Sequence, residues 1–433
     1  MNPRHGILWT FGVLFVLGAF LGTVSATTWY VDDGGANFTK IQDAVNAASG
    51  GDTIIVRDGT YIENVNINDR LIIRSENGSA STVVRAASIF DDVLAVTADQ
   101  VTISGFTVTG ASKYRYAGIS LSSAEHCNIA CNTALNNYNG IYLNYSSNNT
   151  LANNTANLNT DHGIFLYSSS HNTLTNNTAN SNDDSGILLD HSNDNTLTNV
   201  TANSNIWFAI DLFFSSYNIL MSNTVDSNVY DGIYVRGGNN NTITNNTINS
   251  NNYYGIYLRA SSKNKITNNT INSNGYGGIY LSSSSINTIY NNYFNNTNNA
   301  YDDGTNIWNS TKTLGTNIIG GPYLGGNYWS DYTGIDTNGD GLGDMPYDIP
   351  GGTNKDYLPL VIRLNICGDA NGDGNVDFLG DVIGVARHYM YGDPINCAWC
   401  ADVDCDGDID FLGDAIGVAR HYMYGEALSC CPS

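Results

Sequence analysis

Residues 163–185 read GIFLYSSSHNTLTNNTANSNDDS, and residues 186–208 read GILLDHSNDNTLTNVTANSNIWF. The second stretch repeats the first with a 23-residue offset. The Gly-Ile-x-Leu class starts at Gly118, Gly140, Gly163, Gly186, Ala209, Gly232, Gly255 and Gly278, spaced 22 residues once and then 23 six times. Two asparagine columns keep the same offsets. One is Asn149, Asn172, Asn195, Asn218, Asn241, Asn264 and Asn287; the other is Asn154, Asn177, Asn223, Asn246, Asn269 and Asn292, broken by Val200. Apolar residues keep register too: Ile141 and Leu143, two apart, share one side of an extended strand, and Ala156, Ala179, Ala202, Val225, Ile248, Ile271 and Phe294 form a further column.

Short strands joined by Ser/Asn/Gly turns and stacked on copies of themselves describe an all-β solenoid, a parallel β-helix. At ~4.8 Å per coil, eight coils span roughly 40 Å. The asparagine columns read as ladders in which each amide bonds to its equivalents and to freed backbone groups. An α-solenoid needs a 3.6 period and a propeller about 40 residues per blade; neither fits.

Outside the repeats, Ile41, Ala44, Val45 and Ala48 share one helical face and predict a short helix closing the open N-terminal end of the solenoid. Met1–Ala26 reads as a signal peptide: Arg4, an apolar run from Ile7 to Gly22, and small residues before a cleavage site after Ala26. The expected organisation is a signal peptide at 1–26, a cap with the first coils at 27–117, regular repeats at 118–300, a solenoid end at 301–362 and a separate module at 363–433. No other segment is expected to span a membrane, which places the protein outside the cell or at its surface. Eight cysteines in an exported chain suggest disulfides; six of them fall in the last module.

The 433 residues carry a net charge of −23 and a pI near 4.3 with only 13% charged residues. So few cations exclude a phosphate-tracking nucleic-acid binder. The acids concentrate at the C-terminus: from Asp336 onward 17 acids face four bases, against nine and four between Gly118 and Ala300. Three loops explain this. Asp369, Asn371, Asp373, Asn375 and Asp377, with Asp381 beyond, alternate around Gly374; Asp402, Asp404, Asp406, Asp408 and Asp410, with Asp414 beyond, alternate around Gly407; Asp336, Asn338, Asp340 and Asp344 form a third. Oxygen ligands at alternate positions around a glycine suit Ca²⁺. The first two loops precede near-identical stretches in which Val382/Ala415, Ile383/Ile416, Ala386/Ala419 and Met390/Met423 predict an apolar helical face.

The repeats and the cap resemble the pectin-lyase-like right-handed β-helix superfamily, and within it the NosD-like proteins. Asn306-Ile307-Trp308, Gly325 to Tyr332 and Asp356 to Leu360 are similar to the way such modules end. The resemblance implies the fold; the superfamily holds lyases, hydrolases, epimerases and non-catalytic surface proteins. The name-giving family implies copper delivery, but the helix shows no Met/His/Cys cluster, and that role is set aside. The two loop–helix units, 33 residues apart, resemble a type I dockerin, which implies Ca²⁺ and a cohesin-bearing partner. Here Gly380 and Gly413 stand where the closing Asp is usual. Phe378, Leu379, Phe411 and Leu412 fall near the recognition positions.

Two aromatic stripes mark the outer surface. One carries Tyr142, Phe165, Leu188, Asp211, Tyr234, Tyr257 and Tyr280; the other carries Tyr138, Trp207, Tyr230, Tyr253 and Tyr276, interrupted by Asp161 and Asp184. Regular aromatics either stack on sugar rings or pack on one another. Asp161, His162, Asp183, Asp184, Asp190, His191 and Asp211 gather where the aromatics lapse, with Arg236 and Arg259 on later coils. Paired carboxylates suit glycoside hydrolysis; Ca²⁺ and arginine suit β-elimination. Asn159-Thr160-Asp161 and Asp183-Asp184 resemble the first two motifs of polygalacturonase-type hydrolases, while the third, Gly-His-Gly, is absent. The sequence therefore leads to a secreted solenoid that binds or presents polysaccharide and docks through its tail, with a lyase or hydrolase using Asp161, Asp183 and Asp184 as the alternative.

Overall fold

The computed structural model describes residues 26–32, 34–362, 378–392, 401, 409 and 414–424. The signal peptide expected over residues 1–26 lies almost wholly outside them.

The chain winds as the repeat predicts. One sheet has 12 strands, from Thr28–Val31 to Thr288–Tyr290, and a second has 11, from Val65–Ile67 to Ala300–Asp302. The third face consists of two five-stranded sheets joined by the single bridges Thr155↔Thr178, Thr178↔Thr201 and Thr201↔Thr224. Pairing between coils is parallel and in register, as in Ile141↔Ile164, Leu143↔Leu166 and Ile164↔Ile187. Each coil sends inward two side chains from the Gly-Ile-x-Leu strand, one from the Thr-Leu-Thr strand and one from the third face. Ile164, Leu166, Leu174 and Ala179 represent one coil, and all are fully buried. A fully buried Ile or Leu contributes ~1.5–3 kcal/mol, so a uniform column of such residues fixes the register of every coil.

Asparagine ladders line the corners. Asn149 N–H donates to Asn172 Oδ1 at 2.8 Å, and Asn172 Nδ2 donates to Asn195 Oδ1 at 3.1 Å and Ser146 O at 3.2 Å. The two columns seen in the sequence both behave this way. A third, unforeseen one comprises Asn159, Asn182, Asn205, Asn228, Asn251 and Asn274, joined by bonds such as Asn182 Nδ2 to Asn205 Oδ1 at 3.0 Å. A serine column adds a fourth, with Ser169 N–H donating to Ser192 Oγ at 2.9 Å. The glycine of Gly-Ile-x-Leu follows from the third ladder: a Cβ on Gly163 would lie 2.7 Å from Gly186 O and 2.8 Å from Asn182 Nδ2.

The helix Ile41–Ala47 closes the N-terminal end with Ile41, Ala44 and Val45 buried, and the Glu63 carboxylate accepts the N–H groups of Ile41 and Gln42 at 2.9 and 3.0 Å. At the other end Trp329 stacks on Phe294, centroids 4.7 Å apart, and Trp308 and Trp329 are both buried.

In the tail, the helices Ile383–Tyr391 and Ile416–Tyr424 share one sequence. Val385, Ala401 and Ala415 form their buried cluster, and Val418 is also buried. The expected apolar face holds in part: Val382 and Ala415 are buried and Ala386 packs on the cluster, whereas Ile383, Ile416, Met390 and Met423 are exposed. The helices are about two and a half turns long, and Val385 and Val418, three residues after Val382 and Ala415, are buried in place of the isoleucines. Cys127 and Cys131 are free thiols. They flank the three-residue strand Asn128–Ala130, and four steps of extended chain separate them by ~13 Å, too far for a disulfide. The other six cysteines lie outside the described residues. No helix among the described residues is long and apolar enough to cross a membrane.

Candidate functional site

The outer face of the 11-stranded sheet carries an open groove of about 520 Å³ lined by Tyr114, Arg115, Tyr138, Tyr142, Asp161, Phe165, Tyr167 and Asp190, among others. Its coils place one side chain above another at the same position, which brings Asp161 and Asp184 to neighbouring levels with His162 between them. Their ligating atoms all lie within 4.8 Å of one another. His162 is 8% exposed, with Nε2 3.7 Å from Asp161 Oδ2 and Nδ1 3.6 Å from Asp184 Oδ1.

The imidazole is oriented by the backbone. Ser185 N–H donates to His162 Nδ1 at 3.3 Å, which assigns the proton of the neutral ring to Nε2, on the Asp161 side. Ser185 Oγ donates to Asp184 Oδ1 at 2.9 Å. Burial pushes the Asp161 carboxyl above the usual carboxylate range, against the opposing pull of His162, and Asp184 adds to the rise. Burial and then the Asp161 charge hold the Tyr138 phenol well above its ordinary value, and the two side chains are hydrogen-bonded. Burial also raises Tyr142 to about 12. Tyr138 is therefore a protonated donor at neutral pH, and Asp161 a carboxylate of raised basicity.

Several sequence-derived assignments change. Asp183 is exposed and stands outside the cluster. Asn159 is a buried ladder rung, so the likeness to a hydrolase motif there comes from the repeat. The aromatic stripes pack on themselves. Trp207, Tyr230, Tyr253 and Tyr276 stack in turn at 4.6, 4.7 and 4.5 Å between centroids, Tyr142 stacks on Phe165 at 5.0 Å, Tyr234 on Tyr257 at 4.9 Å, and Tyr257 meets Tyr280 edge-on. The faces of Tyr230 and Tyr253 are covered by other rings. Arg236 lies over Phe213 at 3.9 Å and 3.8 Å from Asp211, and Arg259 bonds to Tyr234. Neither arginine lines the groove around Asp161.

Arg115 and Tyr114 were not anticipated. They belong to the irregular coil before Gly118, where the repeat spacing offers no alignment; Lys113 to Tyr116, aromatics alternating with cations, was the signal available.

In the third Asp-rich loop, Asp336 accepts the N–H groups of Asp340 and Gly341, Asp340 accepts that of Leu342 and pairs with Lys312, and Asp344 accepts that of Thr337. Asn338 Oδ1 accepts from Asp340 N–H at 3.0 Å. Asp381 and Asp414 are buried beside the two tail helices. Asp369, Asn371, Asp373, Asn375, Asp377, Asp402, Asp404, Asp406, Asp408 and Asp410 lie outside the described residues, as do the side chains of Phe378, Leu379, Phe411 and Leu412.

Comparison with known proteins gives three results. A family model described as periplasmic copper-binding protein (NosD) matches residues 45–214 and 199–334. A cell surface glycoprotein of Methanothermus fervidus is 36% identical over 101 residues, covering 23% of this chain and 16% of the glycoprotein. Among solved structures, the A-module of a mannuronan C-5 epimerase of Azotobacter vinelandii superposes with a TM-score of 0.53 at 16% identity, covering 61% of this chain and 91% of that one. The Dettilon tailspike protein follows with a TM-score of 0.51, 16% identity and coverages of 58% and 56%. At such identities these structures show a common fold.

Proposed function

The chain belongs to the NosD family, and from the geometry of its groove we propose that this member is an exported β-solenoid that performs acid–base chemistry on an acidic polysaccharide. One observation carries the reading: a buried imidazole with its proton fixed on Nε2 sits between two carboxylates, with a protonated Tyr138 and the cationic Arg115 on the same groove. An arginine suits the carboxylate of a uronic acid. Asp161, whose basicity is raised by burial, takes the proton from the carbon next to that carboxylate, and His162 Nε2–H stabilises the charge that develops. In β-elimination the C5–H and C4–O bonds break, a C4=C5 double bond forms, and Tyr138 gives its proton to the departing oxygen. Return of a proton to the opposite face of C5 would instead epimerise the sugar. Mannuronan C-5 epimerases have the same fold, and that agrees with this substrate class.

Inverting hydrolysis suits the site less well, while a retaining hydrolase, with carboxyl groups ~5–5.5 Å apart, would release reducing ends without unsaturation. Inverting enzymes need ~6.5–9.5 Å between carboxyl groups to admit a water, whereas here the oxygens approach within 4.8 Å of each other and of an imidazole nitrogen. Cu(I), the soft form of the copper that the family's description carries, does not fit this cluster. The donors are two carboxylates and an imidazole whose Nδ1 already accepts Ser185 N–H, and no sulfur belongs to the set. The test is incubation with polyuronates, reading unsaturated ends and C5 configuration by NMR. Conversion by wild type that is lost in His162→Gln upholds the proposal.

For the tail we propose Ca²⁺ in the Asp-rich loops and docking to a cohesin-like partner. The exposed triplets Tyr389-Met390-Tyr391 and Tyr422-Met423-Tyr424, repeated on two helices, support a binding surface.

A further inference from the structure

The aromatic column beside the groove is a stack that stops where the acids begin. The planes of Trp207 and Tyr230 lie 5° from parallel, those of Tyr230 and Tyr253 12°, and those of Tyr253 and Tyr276 7°. Rings stacked along successive coils lie across the solenoid axis. The inner rings Tyr230 and Tyr253 are half-buried, while the terminal rings Trp207 and Tyr276 are 43% and 55% exposed. Beyond Trp207 the column continues in backbone register: Trp207 N–H donates to Asp184 O at 3.2 Å, Asp184 N–H to Asp161 O at 3.1 Å, and Asp161 N–H to Tyr138 O at 2.9 Å. Two levels between Trp207 and Tyr138 thus carry aspartate in place of a ring, across ~14 Å for three coil steps. Aspartate reaches less far from the backbone than tyrosine or tryptophan. The place of a ring on the indole face turned away from Tyr230 is therefore taken only by the shorter, partly exposed carboxylate side chains of Asp184 and Asp161.

We propose that the free face of Trp207 is a sugar-stacking subsite, in which one pyranose ring of a glycan occupies the missing rung. Its apolar C–H face lies on the indole, and its hydroxyls donate to Asp184 and Asp161. A second aromatic ring in that place would strip water from these carboxylates and give them no donors; a pyranose supplies both the apolar face and the hydroxyls. The sugar plane lies parallel to the indole, so the glycan runs along the coils, in the strand direction, instead of following the solenoid axis. Tyr276, the other exposed end of the stack, has no histidine–carboxylate cluster beside it among the described residues, although Asp331 shares its cavity, and is the internal control.

The inference rests on the glycan reading of the groove, and the two can fail separately. Calorimetric titration of the full-length protein with defined oligouronates is the measurement, made on wild type, Trp207→Ala, Trp207→Tyr and Tyr276→Ala, with melting curves to check folding. Binding should weaken about tenfold, equivalent to ~1.4 kcal/mol, in Trp207→Ala, remain largely intact in Trp207→Tyr and be unchanged in Tyr276→Ala. Unchanged affinity in Trp207→Ala, an equal loss in Tyr276→Ala, or no binding by wild type overturns the subsite. Trp207-dependent binding without any product upholds the subsite and overturns the acid–base reading; product formation with a KM indifferent to Trp207→Ala does the reverse.

Discussion

Ser185 donates its backbone N–H to Nδ1 of His162 across one coil step, at 3.3 Å. The bond is possible because the residue after Asp184 lies one level above the residue after Asp161, and it leaves the Nε2 proton on the Asp161 side. A side chain cannot easily substitute for a backbone donor that the solenoid holds in place.

Replacing His162 with Gln, or Asp161 with Asn, should lower turnover of a polyuronate by roughly 10²–10⁴-fold, the usual contribution of a positioned acid or base. Circular dichroism should be unchanged, since neither residue belongs to a ladder. Asp183→Asn, at an exposed position outside the cluster, should retain near wild-type rates.

The asparagine ladder makes a prediction about its one gap. Asn154 N–H and Nδ2 both donate to Asn177 Oδ1, at 3.0 Å each, but above Asn177 stands Val200, which has no acceptor. Val200→Asn should stabilise the protein by about 1 kcal/mol, the worth of a typical buried hydrogen bond. Asn246→Ala should destabilise it by roughly 2 kcal/mol or more, because it removes the acceptor of Asn223 N–H and leaves a cavity. Both are read as shifts in denaturant midpoint.

Two buried aspartates give stability a pH dependence. Burial raises Asp211 from 3.8 to about 7, opposed by Arg236, and burial raises Asp231 to about 6, opposed by the N–H of Tyr254. In the unfolded chain both titrate near 3.8, so between about pH 4 and 7 the folded state holds protons that the unfolded state has released. Their contribution is full below about pH 4 and is lost as pH rises through 6 and 7. Melting temperature should fall over that window, and Asp211→Asn should flatten the fall; a slope unchanged in the variant would contradict the assignment.

A chelator should lower the thermal stability of the segment 363–433, and added Ca²⁺ should restore it. Calorimetry that shows no calcium-dependent transition would remove Ca²⁺ from the tail.

The solenoid was legible because every coil obeys the same constraint: Ile, Leu and Asn recur wherever a coil meets the next, so 23 residues suffice to read about 200. Ladder rungs hidden inside a chemically suggestive motif were harder to see. Asn159 stands two residues before Asp161, and the eye groups it with the acids, although its amide is buried against Asn182. Pairing of Asp161 with Asp184 follows from the period, yet only the structure separates Asp184 from Asp183, since neighbouring residues at a turn point apart. Arg115 escaped because its coil departs from the repeat. The tail face was legible only in part, at Val382, Ala386 and Ala415, because helices this short bury few side chains, too few for a period to select between Val385 and Ile383.

The most direct measurement follows one purified protein acting on polyuronates, with unsaturated ends and C5 configuration read by NMR, beside His162→Gln. The account predicts product from wild type and at least a hundredfold less from the variant. A folded wild type that leaves every polyuronate unchanged, or a variant as active as wild type, would contradict it.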